Sequence, residues 1–221
     1  MRHKTVQFRT MARVQRELST MTDVRQGGRA RRVHPRERLA RVAALICAAG
    51  TAQVLPHGAA AEVTDVAGGG FEIVEQVHVA AAPAAVYAAV IAPARWWDSR
   101  HTFSGSAANL TLDAKAGGCW CETLPDGGSA LHLTVVQVVP GKSLRLRGAL
   151  GPLQGMAVEG AMTFSVKSAG TGTDLKVSYV VGGYAKDGFE GLSKAVDRVL
   201  GEQVARLQKL AETGTADQPG H

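Results

Sequence analysis

The sequence predicts an α+β domain in which a curved antiparallel β-sheet grips a long C-terminal helix, with two short helices after the first strand. Three observations carry this. From Leu110 to Val181 apolar and polar residues alternate, with turn signals between the runs. From Leu192 to Leu210 the apolar spacing changes to three or four residues. Between them and the first strand, two prolines, Pro83 and Pro93, bracket a short apolar stripe. Period two with one apolar side means antiparallel strands with one buried face. Period 3.6 with a charged opposite side means an amphipathic helix that must bury its stripe on that face.

Phe71 to Val79 reads as the opening strand, with Phe71, Ile73, Val77 and Val79 on one side. Pro83 opens a helix at its favoured first-turn position, and Val86, Tyr87, Val90 and Ile91 form its stripe. Pro93 stops it, and Ala94 to Asp98 reads as a second short helix or turn. Leu110 and Leu112 alternate, Gly117-Gly118 punctuates, and Cys119 to Thr123 is a strand. Pro125-Asp126-Gly127-Gly128 is a hairpin turn. Leu131 to Val139 is a strand closed by Pro140-Gly141. Leu144 and Leu146 alternate with Arg145 and Arg147, which places both arginines in solvent. Val158 to Val166 and Leu175 to Val181 form the last two strands, joined by Gly170-Thr171-Gly172. The helix that follows carries Leu192, Val196, Val199, Leu200, Val204, Leu207 and Leu210.

Residues 1–61 are different material. They hold 12 of the 25 Lys+Arg and 3 of the 19 Asp+Glu, a net charge of +9, whereas the remaining 160 residues carry −3. The basic stretch precedes a 14-residue Ala-rich apolar run, Val42 to Leu55, and then Ala59-Ala60-Ala61. A positive region, a short apolar region and an A-x-A site make a cleavable secretory signal. The run is too short for a membrane anchor, which needs about 20 apolar residues. Arg31-Arg32 lacks the surroundings of a twin-arginine motif, Ile46 before Cys47 is wrong for a lipoprotein signal, and a nucleic-acid-binding arm has no need of the A-x-A site. Met11 and Met21 are alternative starts. The expected organisation is a signal peptide over 1–61, a linker over 62–70, the domain over 71–212 and a disordered tail over 213–221. The expected location is periplasmic or secreted.

Two cysteines follow the leader, Cys119 and Cys121. Residues i and i+2 on a regular strand stand about 6.5–7 Å apart, near the limit for a bridge. Two small, half-buried side chains are the favoured reading, with a redox pair or half a metal site as alternatives. His132 is the one histidine near them on the following strand. No metal and no cofactor are expected, since nothing resembles paired CxxC spacing, HExxH, a phosphate-cradling loop or a dinucleotide fingerprint.

Over Phe71 to Glu212 the sequence resembles the START-like (SRPBCC, helix-grip) superfamily, most closely its polyketide cyclase-like and chaperone-ATPase-activator-like groups. The stretches that carry this are FEIVEQVHVAAAPAAVYAAV, ARWWD, AGGCWCETLPDGG and VVQVVPGKSLRLRG. The resemblance implies a cavity between sheet and long helix, with Trp120, the aromatic after the Gly-Gly pair, facing it. Trp96 and Trp97 are expected near its mouth. Glu122, two residues from Trp120, shares its side, and in an apolar cavity its pKa is expected to rise. Tyr179, on the apolar side, is expected to point its hydroxyl into the gap, and His101 to sit at the mouth. The ligand-binding set is thus Trp96, Trp97, Trp120, Glu122 and Tyr179, and the catalytic candidates are Glu122, Tyr179 and His101.

The leading expectation is an exported, non-enzymatic binder of a small hydrophobic molecule, with no nucleic-acid partner and no membrane anchor after cleavage. A cyclase- or dehydratase-type enzyme using the same cavity is the first alternative, and a protein-interaction module without ligand the second.

Overall fold

A computed structural model describes residues 60–216. The basic leader and apolar run up to residue 59, and the tail from 217, lie outside the described residues. Eight antiparallel strands form one sheet: β1 (Ala60–Ala67), β2 (Gly70–Val79), β3 (Leu110–Leu112), β4 (Cys119–Thr123), β5 (Ser129–Val139), β6 (Ser143–Arg147), β7 (Ala157–Ala169) and β8 (Gly172–Tyr184). Their order across the sheet is β1-β2-β8-β7-β6-β5-β4-β3. Two helices complete the fold, α1 (Pro83–Val90) and α2 (Glu190–Thr213).

The alternation in the sequence becomes the two faces of this sheet. Met162 pairs with Tyr179, and Phe164 with Val177, and all four are buried. Leu200, Val204, Leu207 and Leu210 of α2 are buried in the same core. Each such side chain contributes roughly 1.5–3 kcal/mol. Gly214, at φ 81°, caps α2 by donating its N–H to the Leu210 carbonyl at 2.9 Å, the left-handed C-terminal stop that glycine favours. Arg145 and Arg147 face solvent.

Two expectations are corrected. Residues 62–70, read as a linker, supply most of β1, and Gly68-Gly69 is the two-residue turn of a hairpin in which Val66 opposes Phe71 and Ala67 opposes Gly70. The sheet therefore begins before Phe71, and Ala61 lies within its first strand. The second short helix or turn read after Pro93 is a single 3₁₀ turn, Pro93–Arg95, within what that reading allowed.

The cysteines are the second correction, since Cys119 and Cys121 are joined by a disulfide. The β4–β5 register shifts beside the pair, with His132 of β5 as the extra residue of a bulge, and the two Cα atoms stand 5.4 Å apart. That is well inside bridging range, where a regular strand is not. Both sulfurs lie on the outer side of β4, because Trp120 and Glu122 take the inner side.

Candidate functional site

Strand β4, opposite the bulge at His132 of β5, delivers Trp120 to the inner side of the sheet, where it meets Trp96 and Trp97 edge-on. Ring centroids are 5.5 Å (Trp96–Trp97), 5.9 Å (Trp96–Trp120) and 5.1 Å (Trp97–Trp120). Edge-to-face contact is the favoured aromatic geometry. The indoles are fixed by their own N–H groups: Trp96 donates to the Ala89 carbonyl at 2.8 Å and Trp97 to the His101 carbonyl at 2.9 Å.

Beside this cluster lies a cleft of about 310 Å³. Trp97 and Trp120 form one wall, Leu192, Val196, Val199 and Leu200 of α2 the opposite one, and Leu150 to Leu153 a third. Arg100, His101, Thr102, Phe103 and His132 also line it, with Leu110 and Ala195. No carboxylate is among these residues, and the lining is predominantly apolar, as small-molecule sites are.

The two loops that frame the cleft are tied to each other. Glu122, 1% exposed, accepts hydrogen bonds from the backbone N–H groups of Phe103 (3.1 Å) and Ser104 and from His132 Nε2 (2.9 Å). His132 Nδ1 in turn accepts from the Gln154 amide at 3.1 Å. Phe103 stacks on the His132 ring at 5.5 Å. A single relay, Ser104–Glu122–His132–Gln154, therefore runs from one loop to the other. The first loop is pinned again by Asp98, whose backbone N–H donates to Gln203 of α2 at 2.7 Å and whose carboxylate takes the Arg100 guanidinium at 2.8 Å. The hydrogen bonds from Arg100 hold the Asp98 carboxyl below its ordinary pKa, outweighing burial.

Each sequence candidate now has a place. Trp97 and Trp120 line the cleft, and so does His101, 3.5 Å from Glu202. Trp96 does not; it packs behind the other two indoles. Glu122 shares the inner side with Trp120 but points into the first loop. Burial pushes its carboxyl up, yet the hydrogen bonds from Ser104, Phe103 and His132 outweigh it and leave the pKa below its ordinary value. The expected rise is thus reversed, because donors rather than hydrocarbon surround the oxygens. Tyr179 is fully buried but does not line the cleft. Its hydroxyl donates to the Gly148 carbonyl and accepts from the Leu150 N–H, both at 3.2 Å, and burial drives its pKa to about 12. It is a brace for the β6–β7 loop. Gly160 makes room for that ring, since a Cβ there would stand 2.5 Å from it.

Sequence reasoning missed Gln154 and the joining role of His132. It also missed Glu75, which is fully buried on the inner side of β2. Its signal is plain in retrospect, one carboxylate in the apolar series Phe71, Ile73, Val77, Val79.

Residues 70–212 match the family described as polyketide cyclase / dehydrase and lipid transport. The chain belongs to this family. Solved structures are similar to it at low identity. A conserved protein of unknown function from Enterococcus faecalis is 14% identical, with TM-score 0.48 over 72% of this chain and 80% of that one. A protein from Chromobacterium violaceum is 18% identical, with TM-score 0.47 over 64% and 96%. DynU16, from the dynemicin biosynthetic locus, is 19% identical, with TM-score 0.49 over 67% and 49%. No curated protein matches the sequence. Within the polyketide cyclase / dehydrase and lipid transport family, the cleft beside Trp120 is the feature of this chain on which a functional reading rests.

Proposed function

We propose that this family member is an exported binder of a small, largely apolar molecule, held in the cleft between Trp97, Trp120 and α2. The observation that carries the reading is the lining itself: two indoles against a wall of Leu and Val, without a carboxylate. Burial of apolar ligand surface at about 25 cal/mol per Å² supplies the affinity, and the family's description includes lipid transport. The leader and the Cys119–Cys121 disulfide both support export, because disulfides persist in oxidising compartments.

The test is titration with an uncharged naphthylamine dye, read by dye and tryptophan emission. Saturable binding at micromolar concentration, about −8 kcal/mol, is expected. Trp120→Phe should retain it and Trp120→Ala should weaken it at least tenfold. Binding indifferent to Trp120 refutes the site. For export, the mature protein should begin at Glu62, and a secreted form that retains Arg31 to Arg41 refutes the signal.

One observation favours a second reading, a cyclase- or dehydratase-type enzyme. His132 lines the cleft with a buried carboxylate behind it, the arrangement of an oriented general base. Its Nδ1 faces Gln154, so catalysis requires that loop to move. Turnover of a polyketide-like substrate abolished by His132→Gln, with dye affinity retained, would establish it.

A further inference from the structure

Glu75 of β2 and Asp197 of α2 lie near enough for the Asp197 charge to act on Glu75, where β2 packs against α2, and neither lines the cleft. Glu75 is 0% exposed, and among the described residues neither of its carboxylate oxygens has a hydrogen-bond partner. Asp197 Oδ1, on the helix, is likewise buried and unpartnered. An ionised carboxylate in that setting is strongly disfavoured, and a second carboxylate beside it adds repulsion. The described ionisable side chains on the surrounding elements offer no relief. Glu72 and His78 of β2, and Asp174 and Lys176 of β8, point to the outer face, with His78 paired to Asp174 at 2.9 Å. Tyr179 of β8 is held by Gly148 and Leu150. On α2, Lys194 pairs with Glu190, Glu202 lies 3.5 Å from His101, Arg198 is exposed, and Arg206 donates to the Trp96 carbonyl at 2.8 Å. Asp65 of β1 is exposed, and Tyr87 of α1 is half-buried.

We propose that Glu75 and Asp197 form a proton-operated latch: protonated, they seat the first half of α2 on the sheet, and ionised, they release it. The released segment is the one that supplies Leu192, Val196, Val199 and Leu200 to the cleft. The latch therefore governs the wall of the proposed binding site, and in that respect it rests on the binding reading. Burial first, and Asp197 second, raise the Glu75 pKa from an ordinary 4.5 to about 7, and burial raises Asp197 too. The sign follows. A folded-state pKa above the unfolded one means that the seated state binds the extra proton. Its advantage is complete below pH 4.5 and is lost as pH rises through 7.

The experiment is native-state hydrogen exchange at pH 6 and pH 8, corrected for intrinsic rates, on wild type, Glu75→Gln and Glu75→Met. Both variants abolish the Glu75 titration and the repulsion it exerts with Asp197, and Met also removes the need for a polar partner. In wild type, protection of the amides from 192 to 200 should fall about tenfold between pH 6 and pH 8. In either variant that folds it should stay constant. Constant protection in wild type, or the same fall in a folded variant, overturns the latch. A second arm titrates the naphthylamine dye at both pH values. Weaker binding at pH 8 in wild type and equal binding in Glu75→Met are expected, and equal binding in wild type overturns control of the cleft. Absence of dye binding at either pH refutes the binding reading and leaves the exchange result to decide the latch.

Discussion

Replacing Glu122 by Gln isolates the relay between the two loops. The carboxylate receives three N–H donors, from Phe103, Ser104 and His132. Hydrogen bonds to a buried charged acceptor contribute about 1.5–3 kcal/mol each. Glutamine keeps one acceptor oxygen but turns an amide NH₂ toward at least one of those donors, so one charged bond is lost and a donor meets a donor. The expected destabilisation is about 3 kcal/mol, a large share of the ~5–15 kcal/mol that holds a domain together. In urea, with a slope of about 2 kcal/mol per molar, the midpoint should fall by roughly 1.5 M at pH 7. The pH dependence supplies an independent reading. Because the folded-state pKa lies below the ordinary value, the contribution of Glu122 is present above pH 4.5 and is lost as pH falls through the folded pKa. Wild type should therefore lose stability on acidification more steeply than Glu122→Gln. A variant within ~0.5 kcal/mol of wild type, or one with the same acid slope, refutes the assignment of Glu122 as the anchor of the loop.

Two further substitutions probe the scaffold around the cleft. Gly160→Ala places a methyl 2.5 Å from the Tyr179 ring and should cost about 1–3 kcal/mol in thermal or urea unfolding; Tyr179→Phe in the same background should not relieve it, since the ring remains. Cys119→Ala/Cys121→Ala should lower stability by less than about 2 kcal/mol, because the bridge closes a loop of very few residues and so constrains the unfolded chain little. A loss above 4 kcal/mol in urea would contradict that account.

The parts of this fold that could be read from sequence are those fixed by periodicity. The alternation from Val158 to Val181 set both faces of β7 and β8, and the change of spacing at Leu192 marked α2. Pro125 to Gly128 marked the β4–β5 turn, where Asp126 and Gly127 take φ values of 56° and 77°. What escaped depends on partners distant in sequence. The Cys119–Cys121 bond sits beside a register shift set by pairing with β5. The fate of Glu122 depends on backbone donors 18 and 19 residues earlier. The side of β4 on which Glu122 stands was legible; the company it keeps there was not. Tyr179 was correctly assigned to the buried face, but the Gly148 and Leu150 groups that occupy its hydroxyl lie across two strands. Strand β1 escaped for a different reason. Its residues are short and weakly apolar, and three glycines beside them read as a spacer although two form a turn.

The relay from Ser104 to Gln154 has a kinetic consequence. Loops joined only to their own strands would fluctuate separately, and a guest molecule could slip past whichever happened to be displaced. Here the two lips share a chain of hydrogen bonds, so displacing either one strains the bonds that hold the other. Passage into the cleft then resembles lifting a hinged cover more than parting a curtain: one concerted event, with one barrier for both arrival and departure. For the guest proposed above, such a cover would slow exchange relative to affinity, with Glu122 and His132 holding it shut and only His132 of the two bordering the cleft.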